Sequence, residues 1–340
     1  MLNIKEIAHL AGVSSATVSR VINDSGYVSE DTRQKVIRII EKYNYVPNLA
    51  ARSLSRKVSS YIGVVIPDIE NEFFSKMTTG ISTVAEGEDF SIQLLSSNES
   101  VELENKFLQG IIGHDLAGLI IAPVACDNTY TKERLMQLNE NGLPIVLIDR
   151  DVDGLELSSV FVDNIYSSYE AVNALLDAGH TKIGIITGPM NSKPGRERYI
   201  GFKKAIDRRG IEIDPDYVFI GDFRLEKAYE GCLKLMNLKE PPTAIFASNN
   251  LSSLGCIKAF NELGLTIGKD VSIIGFDDIE VLSILNFNLS VVHRQPKRQG
   301  MEAMKLLLEI INTKDKRPVI KEITIPNELI LRGSEKLKGD

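Results

Sequence analysis

From residue 58 onward, short apolar runs alternate with helical stretches, and that alternation leaves few folds open. YIGVVIPDI begins the series; a helix over about 73–89 follows, then FSIQLLSS, a helix over 100–113, AGLIIAPV, a helix over 130–141 and PIVLIDR. A second series opens at SSVFVDN. It continues through a helix over 165–178, KIGIITGP, a helix over 195–209, YVFIGDF, a helix over 225–237, TAIFASNN, a helix over 251–263 and VSIIGFDD. The apolar runs are continuous and β-branched. A strand of that kind is buried on both faces, which is the condition of a parallel sheet covered by helices. The expected body is therefore α/β and doubly wound, and two similar series predict two lobes with a cleft.

The first 57 residues follow another rule. Ile4, Ile7, Ala8 and Ala11 recur at helical spacing behind Asn3, a good cap. Gly12 supplies a turn with positive φ. Ser14 caps the next helix, SSATVSRVIN, in which Val18, Val21 and Ile22 face one way and Ser15, Ala16, Ser19 and Arg20 largely the other. Two short helices joined by a glycine turn predict a helix-turn-helix, whose second helix enters the major groove of DNA. Small Ser15 and Ala16 let the helix approach base edges. Arg20 can reach guanine as a bidentate donor, Thr17 and Ser19 suit phosphate oxygens, and Asn23 completes the set at the helix end. A third helix starts at Ser29, with Glu30 and Asp31 in its first turn where the dipole favours acids. Val36, Ile37, Ile39 and Ile40 give it a core face, and Tyr43 and Tyr45 close the small domain. Pro47 stops any helix, and Asn48 caps a new short one, LAARSLSRK. The expected organisation is an all-α helix-turn-helix domain over 1–46, a linker helix over 47–57 and the α/β body over 58–340.

Charge supports this division. The chain carries −7 overall, yet residues 1–57 hold nine Lys or Arg against five acids, a net +4, which leaves −11 on the rest. A basic head on an acidic body puts a polyanion contact at the N-terminus. Cys126, Cys232 and Cys256 are far apart, without a CxxC pair or a disulfide framework. The four histidines (His9, His114, His180 and His293) have no metal spacing. No GxGxxG, GxxxxGK[ST] or GxSxG is present, and adjacent Asp277 and Asp278 lack an acid/base partner, so no enzymatic activity, metal or cofactor is expected. No basic leader with an apolar stretch begins the chain, and no apolar run approaches the roughly 18–20 residues needed to cross a bilayer, so a cytoplasmic protein without a membrane partner is expected.

Polar residues gather where the predicted strands end: Asp68 and Asn71, Asp149 and Arg150, Asp163 and Asn164, Asn249 and Asn250, Asp277 and Asp278. Ligands of open α/β sheets bind beyond the carboxyl ends of the strands. Paired Asp, Asn and Arg side chains suit sugar hydroxyls, which both donate and accept. Phe73, Phe74 and Phe223 stand at similar ends, as platforms for an apolar sugar face.

IKEIAHLAGVSSATVSRVIN, then YVSEDTRQKV, then YNYVPNLAARSL together resemble the lactose/galactose repressor (LacI/GalR) family, and the resemblance continues to LRGS at 331–334. It implies a sequence-specific DNA-binding transcriptional regulator, most often a repressor. Such a protein is a homodimer on a pseudo-palindromic operator, controlled by a small polar effector such as a sugar or sugar derivative. For 48–57 it implies a hinge helix that folds on the DNA. Leu54 would then wedge the minor groove and kink the duplex, Ala51 would permit close packing, and Arg52 and Arg56 would meet phosphates. The body would resemble periplasmic sugar-binding proteins. LSVVHRQP and a helix over 298–312 would return to the first lobe, and EITIPNELILR would finish in the second. The first lobe would then comprise about 58–163 and 292–322, and the second about 164–291 and 323–340. Phe73, Asp163, Arg198, Phe223, Asn249 and Asp277 fall on positions that resemble effector contacts, with Arg196 able to share the role of Arg198. One spacing departs from the family, which has six residues from a Gln-Pro glutamine to the next glycine; here Gln295 to Gly300 is five. Either Arg294 takes the usual place of Gln295 or the crossover loop has shifted. Two further readings remain at this point: a catabolite-control regulator that docks a phosphocarrier protein, and a transporter's solute-binding protein.

Overall fold

The computed structural model describes residues 2–22, 25–43, 45, 60–111, 115–313 and 319–336. The chain forms two compact units, 1–59 and 60–340. In the first, helices α1 (Ile4–Ala11), α2 (Ser15–Ile22) and α3 (Glu30–Lys42) pack around Ile7, Ala8, Ala11, Val18, Val21 and Val36. A reciprocal cap starts α1: Asn3 Oδ1 accepts from the Lys5 and Glu6 amides, and the Glu6 carboxylate accepts from the Asn3 amide at 2.7 Å. Gly12 ends it at φ 64°, in the left-handed region. Ser14 Oγ accepts from the Thr17 amide at 3.1 Å, which caps α2. Tyr45 packs on this core. Tyr43 does not close the domain as expected: it is 45% exposed, with the Lys42 ammonium over its ring. An amphipathic phenol at a helix end keeps its hydroxyl wet.

The second unit holds two six-stranded sheets. The first sheet is built from β1 (Tyr61–Ile66), β2 (Ser91–Ser96), β3 (Gly118–Ile121), β4 (Ile145–Ile148), β5 (Ser158–Val162) and β11 (Glu322–Ile325), in the order β11-β5-β4-β3-β1-β2. The second uses β6 (Ile183–Thr187), β7 (Val218–Ile220), β8 (Ala244–Ala247), β9 (Ser272–Phe276), β10 (Ser290–His293) and β12 (Glu328–Ile330), in the order β12-β10-β9-β8-β6-β7. All ladders are parallel except β10 with β12, an antiparallel edge that the expectation of wholly parallel sheets had not included. The two orders are the same pattern, so the sequence similarity of the two halves is a structural repeat.

Successive residues of the central strands feed cores on opposite faces. In β1, Ile62, Val64 and Ile66 point into one cluster and Val65 into the other; β4 divides in the same way. The strands are continuous apolar runs for this reason. The connecting helices are α4 (Glu72–Gly87), α5 (Val101–Gly110), α6 (Thr129–Glu140), α7 (Asn164–Asp177), α8 (Lys193–Arg208), α9 (Leu225–Met236), α10 (Asn250–Glu262), α11 (Glu280–Ile284) and α12 (Pro296–Asn312). Helices α4 and α12 pack face to face over the first sheet. Their contact needs glycine on both sides. A Cβ on Gly80 would lie 2.0 Å from the Lys297 carbonyl oxygen, and one on Gly300 would lie 2.1 Å from that of Met77.

The chain crosses between sheets at points that differ from the expected ones. LSVVHRQP does not return to the first lobe, because β10 is paired between β9 and β12 in the second sheet. Only from 294–295 does the chain cross, so that α12 lies on the first lobe. EITI, expected in the second lobe, pairs with β5 as β11 in the first sheet, and the last crossing falls at 326–327. An apolar run carries no mark of which of two similar sheets it will join.

Candidate functional site

The carboxyl ends of the strands in the two lobes face one another across a cleft. Asn71 caps α4 through the Phe73 amide and also accepts from Asn250 Nδ2 of the second lobe at 2.8 Å. Phe73 and Phe74 are buried beside each other, edge to face, with centroids 5.1 Å apart. Asp149, Phe223 and Asp277 all follow strand ends with positive φ, at 62°, 58° and 73°. Non-glycine residues in the left-handed region cluster where a scaffold aims side chains for a purpose. The Phe223 ring closes over Gly188, where a Cβ would stand 2.0 Å from Cζ, so only glycine admits the ring. Asn249 caps α10 through the Ser252 amide and donates to the Phe223 carbonyl at 3.2 Å.

Three arginines meet in this cleft. Arg150 pairs with Glu99 through two hydrogen bonds of 2.8 and 2.7 Å. Arg294 donates from Nε (2.5 Å) and Nη2 (2.8 Å) to Asp277 and from Nη1 (2.8 Å) to Asp149, while its guanidinium lies 3.6 Å from the Phe73 ring centroid. Arg198 stacks on Phe276 at 3.7 Å, with Nε donating to Asn164 Oδ1 and Nη1 to the Ser248 carbonyl. Burial, and then the positive charge of Arg294, push the Arg198 pKa down to about 9.

The space left among these groups is about 20 Å³, close to that of a single water. A second cavity of about 390 Å³ shares Phe73, Asn250, Asp277 and Arg294 and opens toward Lys76, His293, Gln295 and Lys297. The lobes are also pinned at the rim. Lys193 pairs with Asp151 at 3.0 Å, and Arg196 Nη1 donates to Cys126 Sγ at 3.0 Å.

Of the residues singled out from sequence, Phe73, Phe74, Asp149, Arg150, Arg198, Phe223, Asn249 and Asp277 line the inner cleft. Three lie elsewhere. Asp163 is exposed and accepts from the Tyr166 amide as the cap of α7; its neighbour Asn164 is the buried partner of Arg198. Arg196 sits at the rim. Gln295 borders only the larger cavity and meets Arg298, while Arg294 enters the cleft. Sequence reasoning passed over Glu99 and Ser248. Glu99 follows a strand end, as do the other polar residues noted, and that signal could have found it. Ser248 contributes a carbonyl oxygen, and backbone contacts carry no residue signature.

On the small unit, Ala16 and Arg20 are exposed and Ser15, Thr17 and Ser19 half-buried, opposite buried Val18 and Val21. Asn23, Arg52, Leu54 and Arg56 lie outside the described residues. Among the described residues no helix is long and apolar enough to cross a membrane.

A basic helix-turn-helix joined to a two-lobed body with a polar, aromatic cleft defines a ligand-sensing class of DNA-binding protein. Residues 3–48 match the model of bacterial regulatory proteins of the lacI family, and residues 172–335 match the periplasmic binding protein-like domain. The HTH-type transcriptional regulator RegA of Clostridium saccharobutylicum is 34% identical over 92% of this chain and 93% of its own length. The HTH-type transcriptional repressor PurR of Pasteurella multocida is 33% identical over 99% of each chain. Among solved structures, the lac repressor dimer bound to operator and the anti-inducer ONPF aligns with TM-score 0.86 at 26% identity, over 98% of this chain and 99% of that one. The transcriptional regulator CelR–cellobiose complex aligns with TM-score 0.73 at 26% identity, over 98% and 100%. The chain belongs to the lacI family of bacterial regulatory proteins. It is a DNA-binding transcriptional regulator of the repressor type and not an enzyme. Relatives that span both reader and body disfavour the solute-binding reading.

Proposed function

We propose that this chain is a homodimeric repressor of a pseudo-palindromic operator, gated by a sugar or sugar derivative held in the interlobe cleft. The observation that carries this reading is the cleft itself: the aromatic ring of Phe223 beside the buried polar side chains of Arg198 and Asn249, with Phe73, Asp149 and Asp277 behind the Arg294 guanidinium. Rings for an apolar face and fixed donors and acceptors for hydroxyls are what a sugar needs. The cellobiose complex of a structural neighbour supports the same class. Ser15, Ala16, Thr17, Ser19, Arg20 and Asn23 read and hold the major groove, and Arg52, Leu54 and Arg56 act at the minor one. Exposed Val281, Ile284 and Leu285, at 52, 71 and 69%, form an apolar ridge that suits contact with a second copy. Ligand binding shifts the balance of lobe arrangements, and DNA affinity follows through differential affinity for the two states.

The test is operator binding by the full chain. A duplex selected from random DNA should be a pseudo-palindrome. Neutral sugars, sugar phosphates, sugar acids and purines are then screened for a rise in melting temperature and a change in that affinity. A response to purines alone, with none to any sugar compound, would overturn the sugar reading.

A further inference from the structure

The charges in the cleft are unevenly matched. Arg150 is neutralised by Glu99, and Arg294 takes two carboxylates, Asp277 and Asp149, with all three of its nitrogens. Arg294 also covers the Phe73 ring face. A neutral sugar would need that ring for its apolar face and those two acids for its hydroxyls. All of them are occupied by the chain's own side chain. A hydroxyl cannot take them, because displacing the guanidinium would leave a buried cation and two buried carboxylates with neutral partners only.

Arg198 is in the opposite condition. It is 2% exposed, and among the described residues it donates to the Asn164 amide oxygen at 2.9 Å and the Ser248 carbonyl at 2.6 Å. Both are neutral, and no carboxylate of the described residues lies within ion-pair distance. The depressed pKa expresses the same deficit: burial and Arg294 disfavour the charge more than the nearby but committed Asp277 and Asp149 support it. A buried cation held by neutral acceptors is short of one negative charge.

We infer that the effector supplies this charge: it is a sugar derivative bearing a carboxylate or phosphate that pairs with Arg198, and Arg294 is the specificity-determining residue that withholds Asp149 and Asp277 from neutral sugars. This rests on the sugar reading above. The cleft as closed has room for about one water, so the ligand enters as the lobes part. The guanidinium fork of Arg198 accommodates either anion.

The full chain is titrated by calorimetry with matched sets: glucose, glucuronate and glucose 6-phosphate; ribose and ribose 5-phosphate; and inorganic phosphate alone. An anionic member should bind at least about tenfold tighter than its neutral parent, the difference expected of one charge-assisted hydrogen bond over a neutral one. Whether the acid or the phosphate binds identifies the anion. Arg294→Gln frees two acids to neutralise Arg198 and should invert the preference toward the neutral parent. If that variant does not melt cooperatively, Arg198→Gln is read instead and should lose the preference for the anion. A neutral parent that binds as well as its anion overturns the inference and leaves the sugar reading standing. So does a preference that survives Arg198→Gln. Binding reproduced in full by inorganic phosphate overturns it as well. Failure of every sugar compound to bind overturns both.

Discussion

Arg20 and Arg198 show how differently one residue type is used in the two units. Arg20 is exposed on a helix whose other face is buried, so its removal should alter recognition and leave the fold intact. Arg20→Ala is expected to cost about 1–3 kcal/mol at one operator position, read by anisotropy titrations against single-base operator variants. An equal loss on every duplex would place Arg20 on phosphate instead. The exposure of Arg20 was legible in sequence because it depends on the local helix alone. Arg198 was legible only as a position, and its pairing with Asn164 and Ser248 was not, since they lie 34 and 50 residues away along the chain. The choice of Arg294 over Gln295 turns on which side chain the crossing segment directs inward, and sequence left both open.

At the scale of elements, the starts of α1 and α2 followed from caps that sequence shows directly, Asn3 and Ser14, whereas Asn71 and Asn249, read as ligand residues, also cap α4 and α10. Helix pairing did not. Gly80 and Gly300 lie inside helices, where glycine is intrinsically unfavourable, and they allow α4 and α12 to touch backbone to backbone. Gly300→Ala should destabilise the body by about 1–3 kcal/mol through overpacking, measured as a lower urea midpoint with an unchanged slope. An unchanged midpoint would mean that the two helices can part without cost. The strand β10 shows the limit from the other side. Its type was evident, and its sheet was decided by ladders to β9 and β12.

For the whole molecule, the proposed dimer requires two readers to meet two half-sites on the same face of the duplex. Inserting five base pairs at the operator centre rotates one half-site by about half a helical turn. Affinity should then fall by about tenfold or more, toward that of a single half-site, in a gel-shift titration at fixed salt; equal affinity would remove the dimeric arrangement. Salt must be fixed because the +4 head contributes a phosphate term that ionic strength alone changes.

Sequence by itself determined the class of each unit, the helix-turn-helix and its exposed face, and the doubly wound character of the body. Periodicity, caps and continuous apolar runs are local, and each is written within a dozen residues or so. Tertiary structure alone decided where the chain crosses between sheets, which of two adjacent residues enters the cleft, and how three arginines share their counter-ions. Those outcomes are set by contacts between segments far apart along the chain, 145 residues in the pair of Arg294 with Asp149 and 179 in that of Asn250 with Asn71, and a linear pattern does not encode such distances.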